Sequence, residues 1–178
     1  MANYITLSRI LLIFPVLILA SPESSPDNWI ALILFIIAGI TDNLDGYVAR
    51  KTGTTSSLGA ILDLLADKLL IILTIFYFIS YDSSLLLIIP SLIIIIREIV
   101  ISSFRQYLAE NEGENPIKVT FIAKSKTTLQ IFALSFLIIS PNFGQPFFSV
   151  TICLFWLAAY VSIHSLYEYL KTYRNLIK

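Results

Sequence analysis

Apolar residues run along this chain in long blocks rather than in alternation, and the blocks are broken by short groups of Ser, Pro, Asn, Asp, Gly and Glu. Six blocks stand out, at about residues 4–21, 28–50, 57–80, 84–108, 118–140 and 147–173. A helix that crosses a hydrocarbon layer ~30 Å thick needs about 20 residues, and each block supplies roughly that length. The pattern predicts an all-α integral membrane protein with six transmembrane helices in a single domain over residues 1–178. No internal repeat, low-complexity linker or second domain is legible. The first block, with Arg9 ahead of an apolar stretch ending near Ala20, has the outline of a signal peptide. Five further apolar segments and no secreted domain behind them favour a first membrane helix instead.

Composition sharpens this picture. Of 178 residues, 57% are hydrophobic and 13% charged, against roughly 45–50% and about 25% in ordinary soluble domains. A soluble globular protein is excluded. Twelve Lys and Arg balance twelve Asp and Glu, so neither net charge nor a basic tail points to nucleic acid as a partner. The one cysteine, Cys153, excludes a disulfide framework and a thiolate metal cluster. Loops 21–27, 81–83 and 141–146 hold no Lys or Arg and only Glu23, Asp27 and Asp82 as charges, whereas every cation lies at the opposite ends. The positive-inside rule then puts both termini in the cytoplasm. Glu110 to Pro116 reads as a solvated loop, and Trp29, Tyr81, Phe147 and Phe148 as an outer aromatic belt. His164 reads as a packed or interface residue, and Glu168, Lys171 and Arg174 as an exposed helix end.

Four aspartates sit where lipid should forbid them. An Asp at the centre of a membrane helix costs about 2.5–3.5 kcal/mol even on lenient insertion scales, so such a residue is a functional candidate by default. Asp42 and Asp45 (i, i+3) share a face with Gly46 and Ala49, and Asp63 and Asp67 (i, i+4) share another with Gly59. Small residues allow close helix approach in lipid, so the two acidic faces can meet around one polar cavity. Carboxylates crowded together repel unless a cation lies between them, and oxygen-only ligation suits Mg²⁺, Mn²⁺ or Ca²⁺. Two divalent ions are the natural number. Structural ion pairs with Arg50 or Lys68, or a cation pathway, are the competing readings. The acidic groups occupy one side only, however, and the outer halves of the helices are runs of Leu, Ile and Phe with no polar route outward. A one-sided metal site at headgroup depth suggests phosphoryl-type transfer on a lipid whose tails stay in the membrane.

Asp42, Asp45, Gly46, Ala49, Arg50, Gly59, Asp63 and Asp67 together spell D-x-x-D-G-x-x-A-R-x8-G-x3-D-x3-D. This resembles the signature of the CDP-alcohol phosphatidyltransferases without a missing position. Six membrane spans fit that family as well, so the resemblance covers essentially the whole chain. It implies the CDP-alcohol phosphotransferase fold and two divalent cations, Mg²⁺ or Mn²⁺, held by Asp42, Asp45, Asp63 and Asp67. Asp67 is then also the general base, and Gly46, Arg50, Ser56 and Gly59 bind the CDP-lipid. A glycine admits close backbone approach and a guanidinium clamps phosphate; Ser56, in a turn before a helix, also reads as a cap. Leu64 departs from the Pro that relatives often carry there, but removes no ligand.

Asn3, Thr6 and Arg9, the Arg97-Glu98 pair, Arg105, and Lys124 to Thr128 with Gln130 are similar to the phosphatidylglycerophosphate-forming bacterial branch. That branch joins CDP-diacylglycerol to sn-glycerol 3-phosphate and releases CMP. Arg97, Arg105, Lys124 and Lys126 are the residues this assigns to the acceptor phosphate. Arg97, Lys124 and Lys126 lie deep in the cytoplasmic halves of helices four and five, where an anionic substrate would stabilise them. The competing reading pairs them with the aspartates or with Glu98. Phosphatidylglycerol or an inositol phosphate as acceptor stays open, as do a prenyltransferase and a cation transporter. The resemblance further implies a homodimer among membrane lipids, in a bacterial cytoplasmic membrane with the site facing the cytoplasm.

Overall fold

A computed structural model of the chain describes the backbone of residues 2–52, 57–112 and 121–172, and within these the side chains of residues 8–41, 65–66, 68–104, 106–107 and 126–172. Every regular element among the described residues is helical: α1 (Ala2–Leu19), α2 (Asp27–Thr52), α3 (Ser57–Tyr81), α4 (Leu85–Glu112), α5 (Phe121–Ile139), a 3-10 turn (Ser140–Asn142) and α6 (Gln145–Thr172). The helices occupy the six expected apolar blocks. One end differs: α4 runs to Glu112, through the first residues of the stretch expected to be loop. Leu108, Ala109, Glu110 and Glu112 are strong helix formers, and that propensity carries the helix beyond its apolar part. Pro15 and Pro90 lie inside α1 and α4, as membrane helices tolerate when neighbours satisfy the freed carbonyls.

The apolar surface is turned outward. Ile18 is 79% exposed and Phe76 and Leu85 are 68% exposed, whereas Arg9, Asn28, Arg97, Lys126 and Gln130 are buried. A surface of that kind suits hydrocarbon rather than water. On the described residues, α4 over Leu85–Phe104 and α6 are long and apolar enough to cross a membrane.

The helices pack as two groups, α1 with α2 and α3, and α6 with α4 and α5; α2 and α3 join the groups by packing on α5. Each buried stripe follows a heptad-like spacing. Asn28, Ala31, Phe35 and Ala38 line α2, and Thr151, Phe155, Ala158, Ser162 and Ser165 line α6. Small residues in these stripes let backbones come close, which is the main source of helix affinity in lipid. Polar groups do punctuate the outer halves. Thr74, Ser140 and Thr151 are buried, but their hydroxyls donate to the carbonyls of Leu70 (2.7 Å), Leu137 (2.8 Å) and Phe147 (3.1 Å) in the preceding turn. Such local bonds satisfy the hydroxyls without opening a polar route.

At the outer end the turn between α1 and α2 is clipped to the turn between α5 and α6. Asn28 Nδ2 donates to Asn142 Oδ1 (2.6 Å), and Asn142 Nδ2 donates to the Ser25 carbonyl (2.8 Å). Asn28 Oδ1 accepts from the Ser21 amide at 2.7 Å, and Tyr77 donates to the Ala20 carbonyl at 2.5 Å. Trp29, one of the expected belt residues, meets Phe143 edge-on with ring centroids 6.0 Å apart. Phe147, another, stacks between Phe143 and Phe136 with centroids at 4.8 and 5.0 Å.

This clip yields a prediction. Asn142→Ala removes the bonds to Asn28 and to the Ser25 carbonyl, leaving Asn28 the Glu23 carbonyl and the Ser21 amide, and should cost about 1–3 kcal/mol, lowering the unfolding midpoint in a detergent melt. Thr172→Ala, at the exposed end of α6, should leave the midpoint in place.

Candidate active site

The aspartates lie on a helical hairpin. Four residues, 53–56, connect α2 to α3, and the two helices pack on each other. Asp45 lies seven residues before the end of α2 and Asp63 six residues after the start of α3, while Asp42 and Asp67 are each ten residues from those same ends. At 1.5 Å per residue these distances are about 10 Å and about 15 Å. Counted along the helices from the connection, Asp45 matches Asp63 and Asp42 matches Asp67. The hairpin also carries Gly46, Arg50 and Gly59. The side chains of all these residues, the whole of Ser56, and the side chains of Arg105 on α4 and Lys124 on α5 lie outside the described residues.

A second polar group is described in full, and it spans three helices. Arg97 and Glu98 come from α4, Lys126 and Gln130 (i, i+4) from α5, and Ser162 and Ser165 (i, i+3) from α6. One carboxylate oxygen is the hub. Glu98 Oε1 accepts from the Lys126 ammonium, from Gln130 Nε2 at 3.2 Å and from Arg97 Nη1 at 3.4 Å. Arg97 Nη2 donates to Ser165 Oγ at 2.9 Å, and Gln130 Nε2 reaches Ser162 Oγ at 3.2 Å. The side chains of Arg97 and Lys126 are 6% exposed and that of Glu98 13%. The layer holds two cations and one anion. Gln130 Oε1 is buried with no hydrogen-bond partner among the described residues, so the layer retains an unmet acceptor beside its donors.

The two polar groups share one depth. Asn28 meets Asn142 at the outer end, and Gly39 meets Ile131 eleven residues further along each helix, so α2 and α5 run antiparallel. At that crossing a Cβ on Gly39 would lie 3.3 Å from Ile131 Cδ1, which shows how close the helices come. Asp42 and Asp45 follow Gly39 by three and six residues, and Lys126 precedes Ile131 by five. Along the axis these are about 4.5, 9 and 7.5 Å inward of the crossing. Lys126 thus lies between Asp42 and Asp45 in depth. α6 runs parallel to α4, as Trp156 Nε1 donating to the Leu86 carbonyl (3.1 Å) and the Arg97–Ser165 bond together require.

The expectations fare as follows. Arg97 and Lys126 come together as the acceptor reading needed, and they pair with Glu98, the partner the competing reading named. Glu98, Ser162 and Ser165 were not among the expected site residues. Arg9, quoted only as part of the resemblance, is 1% exposed on α1 and thus an interior cation. His164 is exposed beside this layer and Cys153 is exposed and unpaired. A separate cavity of about 380 Å³ opens at the outer end among Phe78, Tyr81, Asp82, Leu87, Gln145 and Phe148, away from the aspartates.

Residues 1–164 match the family model described as CDP-alcohol phosphatidyltransferase, and the chain belongs to that family. It is similar to a protein of Haemophilus influenzae, 36% identical over 170 residues, covering 94% of this chain and 90% of that one. It is similar also to a protein of Rickettsia felis, 39% identical over 173 residues, covering 95% and 92%. A third relative, from Wigglesworthia glossinidia brevipalpis, is 40% identical over 131 residues, covering 73% and 71%. All three bear the name CDP-diacylglycerol–glycerol-3-phosphate 3-phosphatidyltransferase. Family membership decides between the enzymatic and transport readings in favour of the enzyme, and the family is generally dependent on divalent cations.

The layer makes a stability prediction. Arg97→Leu removes a buried partner of Glu98 and should cost about 3–5 kcal/mol, whereas Ser162→Ala, losing one neutral bond, should cost about 1 kcal/mol. Unfolding in detergent followed by circular dichroism measures both.

Proposed function

We propose that the chain transfers the phosphatidyl group of CDP-diacylglycerol to sn-glycerol 3-phosphate, giving phosphatidylglycerophosphate and CMP for phospholipid synthesis. The observation that carries this reading is the buried layer with Arg97 and Lys126 at the depth of the aspartate tract, in a chain whose relatives over most of its length bear that reaction's name. The hairpin register and the oxygen-only donor set fit two divalent cations held by Asp42, Asp45, Asp63 and Asp67. When bound, such ions offset the diphosphate charge and stabilise the departing phosphate. The rest falls to the chain's own groups. Gly46, Arg50, Ser56 and Gly59 bind the CDP portion, and Arg97, Arg105, Lys124 and Lys126 hold the acceptor phosphate. Asp67 takes the proton from the acceptor hydroxyl as its oxygen bonds to the phosphatidyl phosphorus. The bond from that phosphorus to the oxygen of CMP breaks, and CMP leaves with the electron pair.

The outward apolar faces support six spans with both termini cytoplasmic, in one domain of a bacterial cytoplasmic membrane. The active site then faces the cytoplasm, where CDP-lipid tails stay in the bilayer and the water-soluble acceptor enters from the side. A homodimer completes the proposal.

Purified protein in detergent, given CDP-diacylglycerol and Mg²⁺, should release CMP with glycerol 3-phosphate and not with phosphatidylglycerol, inositol phosphate or serine. Turnover with one of the other acceptors overturns the acceptor assignment. EDTA should stop the release and added Mg²⁺ or Mn²⁺ restore it. Asp67→Asn should lower kcat by about 10²–10⁴-fold, the range for a lost general base, and full activity in that variant rejects its role.

A further inference from the structure

The geometry points to Glu98 as a positioning residue of the acceptor pocket, one that holds Lys126, Gln130 and Arg97 where they receive the acceptor phosphate. This rests on the proposed function. Lys and Arg carry long, flexible side chains, and ordering each costs free energy that substrate binding must otherwise supply. Here one carboxylate oxygen fixes all three groups, two from α5 and one from α4 itself. Arg97 and Lys126 are both cationic, and an anionic acceptor offsets their charge.

A carboxylate among phosphate-binding cations can instead act as a competitor that substrate must displace. The contacts disfavour that role. Glu98 is caught from α5 by Lys126 and by Gln130, and Gln130 is itself tied to Ser162 of α6. Swinging the carboxylate away breaks its bonds to Gln130 and Lys126 together. The two roles differ in sign: a lost competitor tightens anion binding, and a lost positioning residue weakens it.

Steady-state kinetics of the full chain in detergent separate them. Glu98→Gln should raise KM for glycerol 3-phosphate by about tenfold, leave KM for CDP-diacylglycerol within about twofold, and be partly rescued by Glu98→Asp. An unchanged or lowered acceptor KM overturns the inference, as does an equal rise in both KM values. In a Lys126→Gln background, adding Glu98→Gln should shift the acceptor KM by clearly less than about tenfold, because one of the three groups being positioned is already gone. A further shift of about tenfold overturns it. That pair removes a cation and an anion together, and it carries the test if Glu98→Gln alone fails to fold. Wild-type protein that turns over another acceptor but not glycerol 3-phosphate overturns the proposed function and this inference with it. Wild-type turnover with glycerol 3-phosphate and an unchanged KM in Glu98→Gln overturns this inference alone.

Discussion

A charge withdrawn from water has to be met by the protein, and in this bundle Glu98 is where that requirement is discharged. Breaking a buried pair costs about 3–5 kcal/mol because the partner is left uncompensated. The Glu98 carboxylate joins α4 to α5 through Lys126 and Gln130, while Arg97 and Gln130 extend the network to Ser165 and Ser162 of α6. Above this layer the three helices pack mainly through apolar side chains, with the Trp156 indole donating to the Leu86 carbonyl between α6 and α4. Packing tolerates sliding more readily than a shared carboxylate does. The polar layer therefore sets the register of the second helix group.

The first group is fixed differently. α2 and α3 both pack on α1, the Asn28–Asn142 clip ties the outer end of α2 to the turn after α5, and Gly39 lets α2 approach Ile131. Together these put the acidic tract and the basic layer at one depth. Acidic and basic groups so placed suit the two halves of a transfer reaction: metal-bound diphosphate on one side, a phosphorylated acceptor on the other. In the outer half the hydroxyls of Thr74, Ser140 and Thr151 are satisfied within their own turns.

Much of this was legible in the sequence because breaks between apolar blocks are chemically sharp. Ser21-Pro22, Asp82 and Asn142-Gly144 interrupt the runs, and the helices end within a few residues of the expected boundaries. The faces were harder to read. A lipid-facing side and a core-facing side are both apolar, so hydrophobicity cannot tell Phe76, which is exposed, from Phe78, which is buried. The Asn28–Asn142 clip joins residues 114 apart, and Gln130 meets Ser162 across 32. No local pattern encodes such pairings. The Arg97-Glu98 pair was visible as a dipeptide, but its role as a three-helix hub depends on tertiary packing. The aspartate signature was legible because its spacing is helical and its residues are costly in lipid.

Whether the acidic tract and the basic layer form one site is read from the 31P relaxation of glycerol 3-phosphate with Mn²⁺ in place of Mg²⁺. A single site gives strong broadening of the phosphate resonance when protein is present, relieved by excess Mg²⁺ and absent in Lys126→Gln. A resonance that stays sharp while glycerol 3-phosphate is bound would mean that metal and acceptor occupy separate places, and would contradict it.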